Sequence, residues 1–270
     1  MTALIAFAVL FAVFVPLERA FLARPQRVFR REWLTDAAFF AGQYLLWTGL
    51  IVSALSSMAD LADRLPLAGV RSAIAHQPVA LQAVEVVLLG DLLVYWGHRL
   101  SHRVELLWRF HRVHHTAEHL DWLAAHREHP LDGLYTQVLV NLPAILLGFP
   151  VATIAGVAAF RGLWGLFIHS NVQLPLGPLK YVLGSPRLHH WHHDYERGGN
   201  VNFANLMPLM DLLFGTYHEP AQEPRRYGIA EAVPRNYLAQ LLFPLGLWPR
   251  PSHPFKRNSP PQMTRRGQLG

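Results

Sequence analysis

The sequence predicts an all-α integral membrane protein. About four to five membrane helices are expected, including a helical hairpin, with a cytoplasmic histidine-rich helical cap. Three observations lead there. Of 270 residues, 51% are hydrophobic and only 16% charged, against roughly 25% charged in an ordinary soluble domain. Uncharged runs long enough to enter a bilayer recur along the chain. Sixteen histidines are present, and they crowd into a few short segments between those runs.

Residues 1–17 (MTALIAFAVLFAVFVPL) carry no charge. They lack the basic start and small-residue cleavage site of a signal peptide, so they read as a short first span. Residues 37–58 form a second uncharged run, long enough to cross about 30 Å of hydrocarbon. Residues 79–97 form a third, apolar except for Gln82, Glu85 and Asp91. A fourth apolar stretch covers residues 133–172 with Arg161 as its interruption. As one helix it would reach about 60 Å, twice the bilayer core. Pro143, Gly148 and Pro150 lie near its middle, so it reads as a hairpin that enters and leaves on one side. Residues 238–249 (LAQLLFPLGLWP) are apolar but short, which suits an interfacial segment. The proline-rich basic end from Arg250 is expected to be disordered.

Arginine placement sets the orientation. The loop after the first span carries Arg19, Arg24, Arg27, Arg30 and Arg31, whereas the loop after the second carries Arg64 and Arg71 beside Asp60 and Asp63. The first loop is therefore expected in the cytoplasm, and the alternation of spans brings every histidine cluster to that same face. His76 is the outlier. The net charge of +6 clusters beside apolar runs, which points to an anionic lipid surface and not to nucleic acid. The chain has no cysteine. Disulfides, thiolate catalysis and iron–sulfur clusters are thus excluded, and any metal must use imidazole, carboxylate or amide ligands.

The histidines are spaced for chemistry. On a helix, residues three and four apart share a face. His98 and His102 form one patch, His111, His114 and His115 a second, and His189, His192 and His193 a third. With His169 at the hairpin's end these are nine imidazoles, more than twice what one tetrahedral zinc takes, so two metals are the natural count. Asp91 lies about 10 Å deeper than His98, and Arg161 about 12 Å deeper than His169. Two charges at one depth in the membrane are expected to pair. The bland alternative is a loose metal-buffering tract, but these clusters are separated by ordered apolar spans and interleaved with Trp96, Trp108 and Trp191. His76, His119, His218 and His253 read as ordinary surface or core residues.

These motifs resemble the fatty acid hydroxylase/sterol desaturase superfamily, membrane-bound histidine-box di-iron oxygenases, over residues 92–217. YWGHRLSH is similar to the family's first box, WRFHRVHH to its second, HREHP to its HP element and IHSN to the histidine ending the hairpin. SPRLHHWHH, with GGNVNFAN and LMDLLFGTY after it, is similar to the third box and its trailing segment. The resemblance implies as metal ligands His98, His102, His111, His114, His115, His169, His189, His192 and His193. His190 falls between box positions. Some members carry another histidine where this chain has Gly165, which leaves a tenth ligand to be supplied by His129, the weaker candidate, or by a water held by Asn171. Asp91, Asn171 and Asp194 are candidates for fixing ring tautomers, with Arg161 bracing Asp91.

The resemblance further implies two iron ions, with zinc as a substitute, and molecular oxygen as co-substrate. The implied reaction is hydroxylation or desaturation of a lipid C–H bond in a sterol, a fatty acyl chain or a related substrate. Electrons would come from an external ferredoxin-like or cytochrome-like donor, because the chain shows no flavin, nicotinamide or haem signature. The alternatives are a zinc-dependent membrane hydrolase, against which stands the missing HExxH, and a non-catalytic metal-binding membrane protein. The chain then divides into N-terminal spans and loops (1–78), a histidine-box catalytic domain (79–219) containing the hairpin 133–172, and a C-terminal interfacial segment with a basic tail (220–270). Arginine-heavy usage points to a bacterial inner membrane.

Overall fold

The computed structural model describes residues 2–248; the basic tail from residue 250, with His253, lies outside them. Among the described residues every regular element is a helix, and β contacts are confined to two isolated bridges, Leu22 with Val172 and Asp194 with Tyr227. Four stretches are long and apolar enough to cross a membrane. They are α1 (Thr2–Ala20), the continuous run of α2 (Trp33–Gly42), a π-helical turn (Gln43–Trp47) and α3 (Thr48–Ala62), then α5 (Val79–Ser101) and α8 (Val151–His169). The chain is an integral membrane protein. Val9 and Val13 on α1, and Leu45, Leu46 and Val52 on the second span, turn outward. Water would make such a continuous apolar surface costly, whereas lipid tails match it.

α5 is the central helix. α7 (Pro130–Leu147) and α8 both pack against it, while α3 covers α7 and the short α4 (Ala68–Ala75) lies near the far end of α7. Pro130 opens α7 where its missing N–H costs nothing. Gly148 closes α7 in the left-handed conformation (φ 75°), and Pro150 precedes α8. The hairpin expected over 133–172 is therefore present, but not as a packed antiparallel pair. Its arms diverge from the Gly148–Pro150 turn, each lying on α5 more than on the other. The wedge between them is open.

The loop after α1 returns to the histidine end. Phe21 O accepts from Gln173 N (2.7 Å) and Asn171 Oδ1 from Arg24 N (3.0 Å). Arg71, beyond α3, donates to Leu146 O beside the hairpin turn, at the opposite end with His76. The arginine-rich first loop and all histidine clusters thus share one end of the bundle. There the cap is built from α6 (Glu105–His115), α9 (Pro186–His192), α10 (Leu209–Leu213) and α11 (Tyr237–Leu242). A buried ionic cluster ties it to the spans: Asp36 accepts from Arg30 Nη2 (2.7 Å) and Arg127 Nε (2.5 Å), and Arg30 also grips Asp121.

Candidate metal centre

α5 runs four residues beyond the apolar stretch that marks it in the sequence, so His98 lies on its last turn and His102 caps it. A short corner then starts α6, and the chain comes back as α9 with Ser185 Oγ capping Leu188 N (3.1 Å). These three helix ends and the end of α8 converge. Nine imidazoles gather in two adjoining groups: His98, His102, His111, His115 and His192, then His114, His169, His189 and His193. In each group one nitrogen per ring lies within 4.8 Å of all the others.

The grouping cuts across the segments. In each HxxHH run the pair four apart stays together, His111 with His115 and His189 with His193, while the third histidine joins the other group. Helical geometry accounts for this. A step of four residues turns the chain by about 40°, but a step of three turns it by about 60° the other way. Segment-by-segment patches are what spacing shows, and interlocked groups are what the packing makes of them.

Hydrogen bonds at Nδ1 fix the rings. Nδ1–H donates to a backbone carbonyl from His98 (Phe203 O, 2.8 Å), His114 (Arg127 O, 3.1 Å), His169 (Gly165 O, 2.7 Å) and His192 (Val201 O, 2.8 Å). Carbonyl oxygens only accept, so in each neutral ring the lone pair is left on Nε2. His111 Nδ1 faces Asp132 Oδ2 at 2.9 Å and is fixed the same way. Those Nε2 atoms point at one another: His98 to His111 at 3.1 Å and His114 to His169 at 3.0 Å. Neither contact has a proton to share, so two lone pairs meet inside the protein. A cation between them resolves the repulsion. Two imidazole nitrogens on one ion, each about 2.1 Å from it, would stand about 3.0–3.4 Å apart, close to these contacts. His192 Nε2 and His193 Nδ1 have no hydrogen-bond partner although buried. The nine residues fit a pair of imidazole-bound metal ions, and imidazole suits iron and zinc alike.

Protons do not substitute for the metal. Burial first, and neighbouring imidazoles second, push His102, His114, His115, His189 and His193 well below their ordinary value. Burial takes His192 down to about 3. Above the unfolded-chain value of 6.5 folded and unfolded states both carry neutral rings. Below it the unfolded chain takes up protons that the folded one refuses, so stability falls by about 1.4 kcal/mol per pH unit for each ring. Metal-stripped protein is therefore expected to hold its melting temperature above pH 6.5 and lose it steeply toward pH 4, followed by calorimetry. A flat profile through that window would contradict the buried neutral cluster.

Close packing protects the five-histidine group. Gly199 has φ 70°, and a Cβ there would stand 2.4 Å from His102 Cε1. Gly199→Ala is expected to displace His102 and lower bound metal toward about one ion per chain, read by elemental analysis.

Other sequence candidates stand apart from the two groups. His129 caps α7, with Nδ1 accepting from Leu131 N (3.1 Å) and Nε2 facing Leu241 O (3.2 Å). The start of α7 takes one nitrogen and the α11 backbone the other, so His129 is not among the gathered imidazoles, which corrects its candidacy as a ligand. His190 bridges Glu223 Oε2 (2.7 Å) and Ser170 O (3.1 Å). Asp91, Asn171 and Asp194 do not orient the rings. Asp91 pairs with Arg161 and accepts from Met207 N (2.7 Å), Asn171 holds the Arg24 backbone, and Asp194 accepts from Arg197 N (3.0 Å). Ring orientation falls to backbone carbonyls and to Asp132, an acid in the first turn of α7 whose only sequence signal is its place behind HREHP. Asp211 contributes indirectly, binding Phe203 N (2.8 Å) and Ala204 N (3.0 Å) and so fixing the carbonyl under His98.

A cavity of about 420 Å³ opens from this centre into the wedge between α7 and α8. His98, His111, His114, His169 and His189 form its floor. Leu139, Val140, Ala158, Gly162 and Leu166 line its apolar side.

The family model for fatty acid hydroxylase matches residues 83–216. An ornithine lipid hydroxylase of Rhizobium tropici is 36% identical over 169 residues, covering 62% of this chain and 51% of that protein. The alkylglycerol monooxygenase of Homo sapiens is 32% identical over 144 residues, covering 53% and 32%. A Delta(7)-sterol 5(6)-desaturase of Gibberella zeae is 32% identical over 140 residues, covering 50% and 37%. The chain thus spans about half the length of the first relative and about a third of the other two. No solved structure matches it. With the family match running from α5 to Thr216 and enclosing all nine gathered histidines, the chain belongs to the fatty acid hydroxylase/sterol desaturase superfamily.

Proposed function

We propose that this chain hydroxylates or desaturates a lipid C–H bond with molecular oxygen, at a di-iron centre held by His98, His102, His111, His114, His115, His169, His189, His192 and His193. The observation that carries this reading is the pair of facing Nε2 lone pairs at the floor of a lipid-sized cavity. A bound iron pair would supply the electrons and Lewis acidity that oxygen needs to cleave an unactivated C–H bond. The chain's own residues do the rest. Asp132 and four backbone carbonyls hold the rings in the ligating tautomer. Leu139, Val140 and Leu166 offer an acyl chain a dry wall, which guards a strong oxidant from side reactions. Alkylglycerols, ornithine lipids and Delta(7)-sterols are the substrates named by its relatives, and a long-chain lipid with a polar head fits a cavity that is apolar on one side and polar on the other.

The histidine end faces the cytoplasm of a bacterial inner membrane in this reading, supported by the arginines of the first loop. An acidic ferredoxin-like or cytochrome-like protein would dock there and deliver electrons. Purified protein loaded with ferrous iron, given a reductant, oxygen and a bacterial lipid extract, is expected to yield a lipid heavier by one oxygen or lighter by two hydrogens. Turnover that proceeds equally under argon would overturn the assignment.

A further inference from the structure

The same cavity has a polar wall that the metal centre does not use. Glu128 and His126 both line it, two residues apart in the loop that leads into α7. Among the described residues the Glu128 carboxylate has no hydrogen-bond or salt-bridge partner, and its neighbour in charge is a second carboxylate, Asp132. One of its oxygens is seated against Gly133, where a Cβ would come within 2.7 Å of Oε2. His126 is 8% exposed. Its Nδ1 lies 2.9 Å from Gln43 Oε1, an acceptor, so Nδ1 carries the proton and Nε2 the lone pair. That Nε2 is buried without a partner. Asn205 Oδ1, on the same cavity, is a third acceptor without a partner. One donor on the wall is unsatisfied, Arg161 Nε, and its guanidinium is already paired with Asp91.

Glu128 itself is half-buried, and burial with Asp132 beside it pushes its carboxyl up to about 8, so an arriving cation restores its charge. Acceptors left open in this way cost free energy unless a ligand completes them. Three acceptors, one of them a carboxylate without a counter-ion, define the complement: a cation that donates hydrogen bonds. A quaternary ammonium has the charge without the donors, and an alcohol has a donor without the charge. A protonated primary amine has both. We propose that the cavity recognises a lipid bearing a protonated amino group, with the ammonium on Glu128 and His126 and the chain along the apolar wall toward the histidines. This rests on the reading of the cavity as a lipid site, and it specifies the class of lipid. It also gives Gly133 a role, since any side chain there would push the carboxylate away.

Calorimetric titration of the full-length, metal-free protein in a non-ionic detergent at pH 9, where Glu128 is ionised and a primary amine is still protonated, tests this with two soluble probes, octylamine and 1-octanol. Wild type is expected to bind octylamine about tenfold more tightly than 1-octanol, as charge-assisted hydrogen bonds to a half-buried carboxylate imply. Glu128→Gln should erase that preference while leaving 1-octanol binding unchanged, and His126→Phe should reduce it several-fold. Should Glu128→Gln not fold, Gly133→Ala displaces the same carboxylate and should lower the preference as well. Equal binding of the two probes by wild type, or a preference that survives loss of Glu128, overturns the proposal. Because no iron is present and nothing is turned over, this result stands or falls separately from the oxygenation assay.

Discussion

His111→Ala is expected to leave the protein folded but reduce lipid oxidation to below about one-hundredth of wild type, with loss of metal from the five-histidine group. The reason is position. His111 Nε2 lies 3.1 Å from both His98 and His102 and 3.2 Å from His115, so it is the meeting point of that group. Its other nitrogen is held by Asp132. Outer partners of metal-bound histidines typically contribute 10–100-fold in affinity or activity, and Asp132→Asn should fall within about that range. His111→Ala must therefore exceed Asp132→Asn. Metal content and product formation measured on both variants check the order; an Asp132 variant as damaged as the His111 variant would place the carboxylate in a role other than orientation.

Arg161→Gln is expected to destabilise the protein by about 3–5 kcal/mol, the usual cost of breaking a buried ion pair from one side. Arg161 and Asp91 pair deep between α8 and α5, both buried, and Asp91 also accepts from Met207 N, in the loop that follows the Val201 and Phe203 carbonyls accepting from the histidines. Loss of the guanidinium leaves a carboxylate in a membrane interior, where ionised groups are expensive. Arg161→Met combined with Asp91→Leu should be less damaging than Arg161→Gln alone, because no orphan charge remains. Denaturation midpoints of the three proteins decide it. A double variant no better than the single would show that the Met207 contact, and not the ion pair, is what matters.

Much of this was legible in the sequence because membranes impose simple rules. Apolar length gives α1, α5 and α8, and the alternation of spans puts the first loop and the histidine clusters at one end. Arg161 and Asp91 could be paired by counting rise per residue from His169 and His98. Three features were not legible. The divergence of α7 from α8 depends on how both seat on α5, which periodicity within either helix does not encode. The exchange of His192 and His114 between groups depends on the angles at which α6 and α9 meet. The ring-orienting partners are mainly carbonyls, of Phe203, Arg127, Gly165 and Val201, and any residue type has a carbonyl. Asp132 was hidden for a related reason: an acid in a first helical turn ordinarily serves the helix dipole, so its composition announces nothing about His111.

The central claim is that nine imidazoles in two adjoining groups hold two metal ions. Elemental analysis of protein loaded anaerobically with ferrous iron and freed of excess, alongside His102→Ala and His193→Ala, tests it most directly. The account predicts about two ions per chain for wild type and about one for each variant, since each substitution strikes one group. Wild-type protein that binds a single ion, or variants that both keep two, would contradict it.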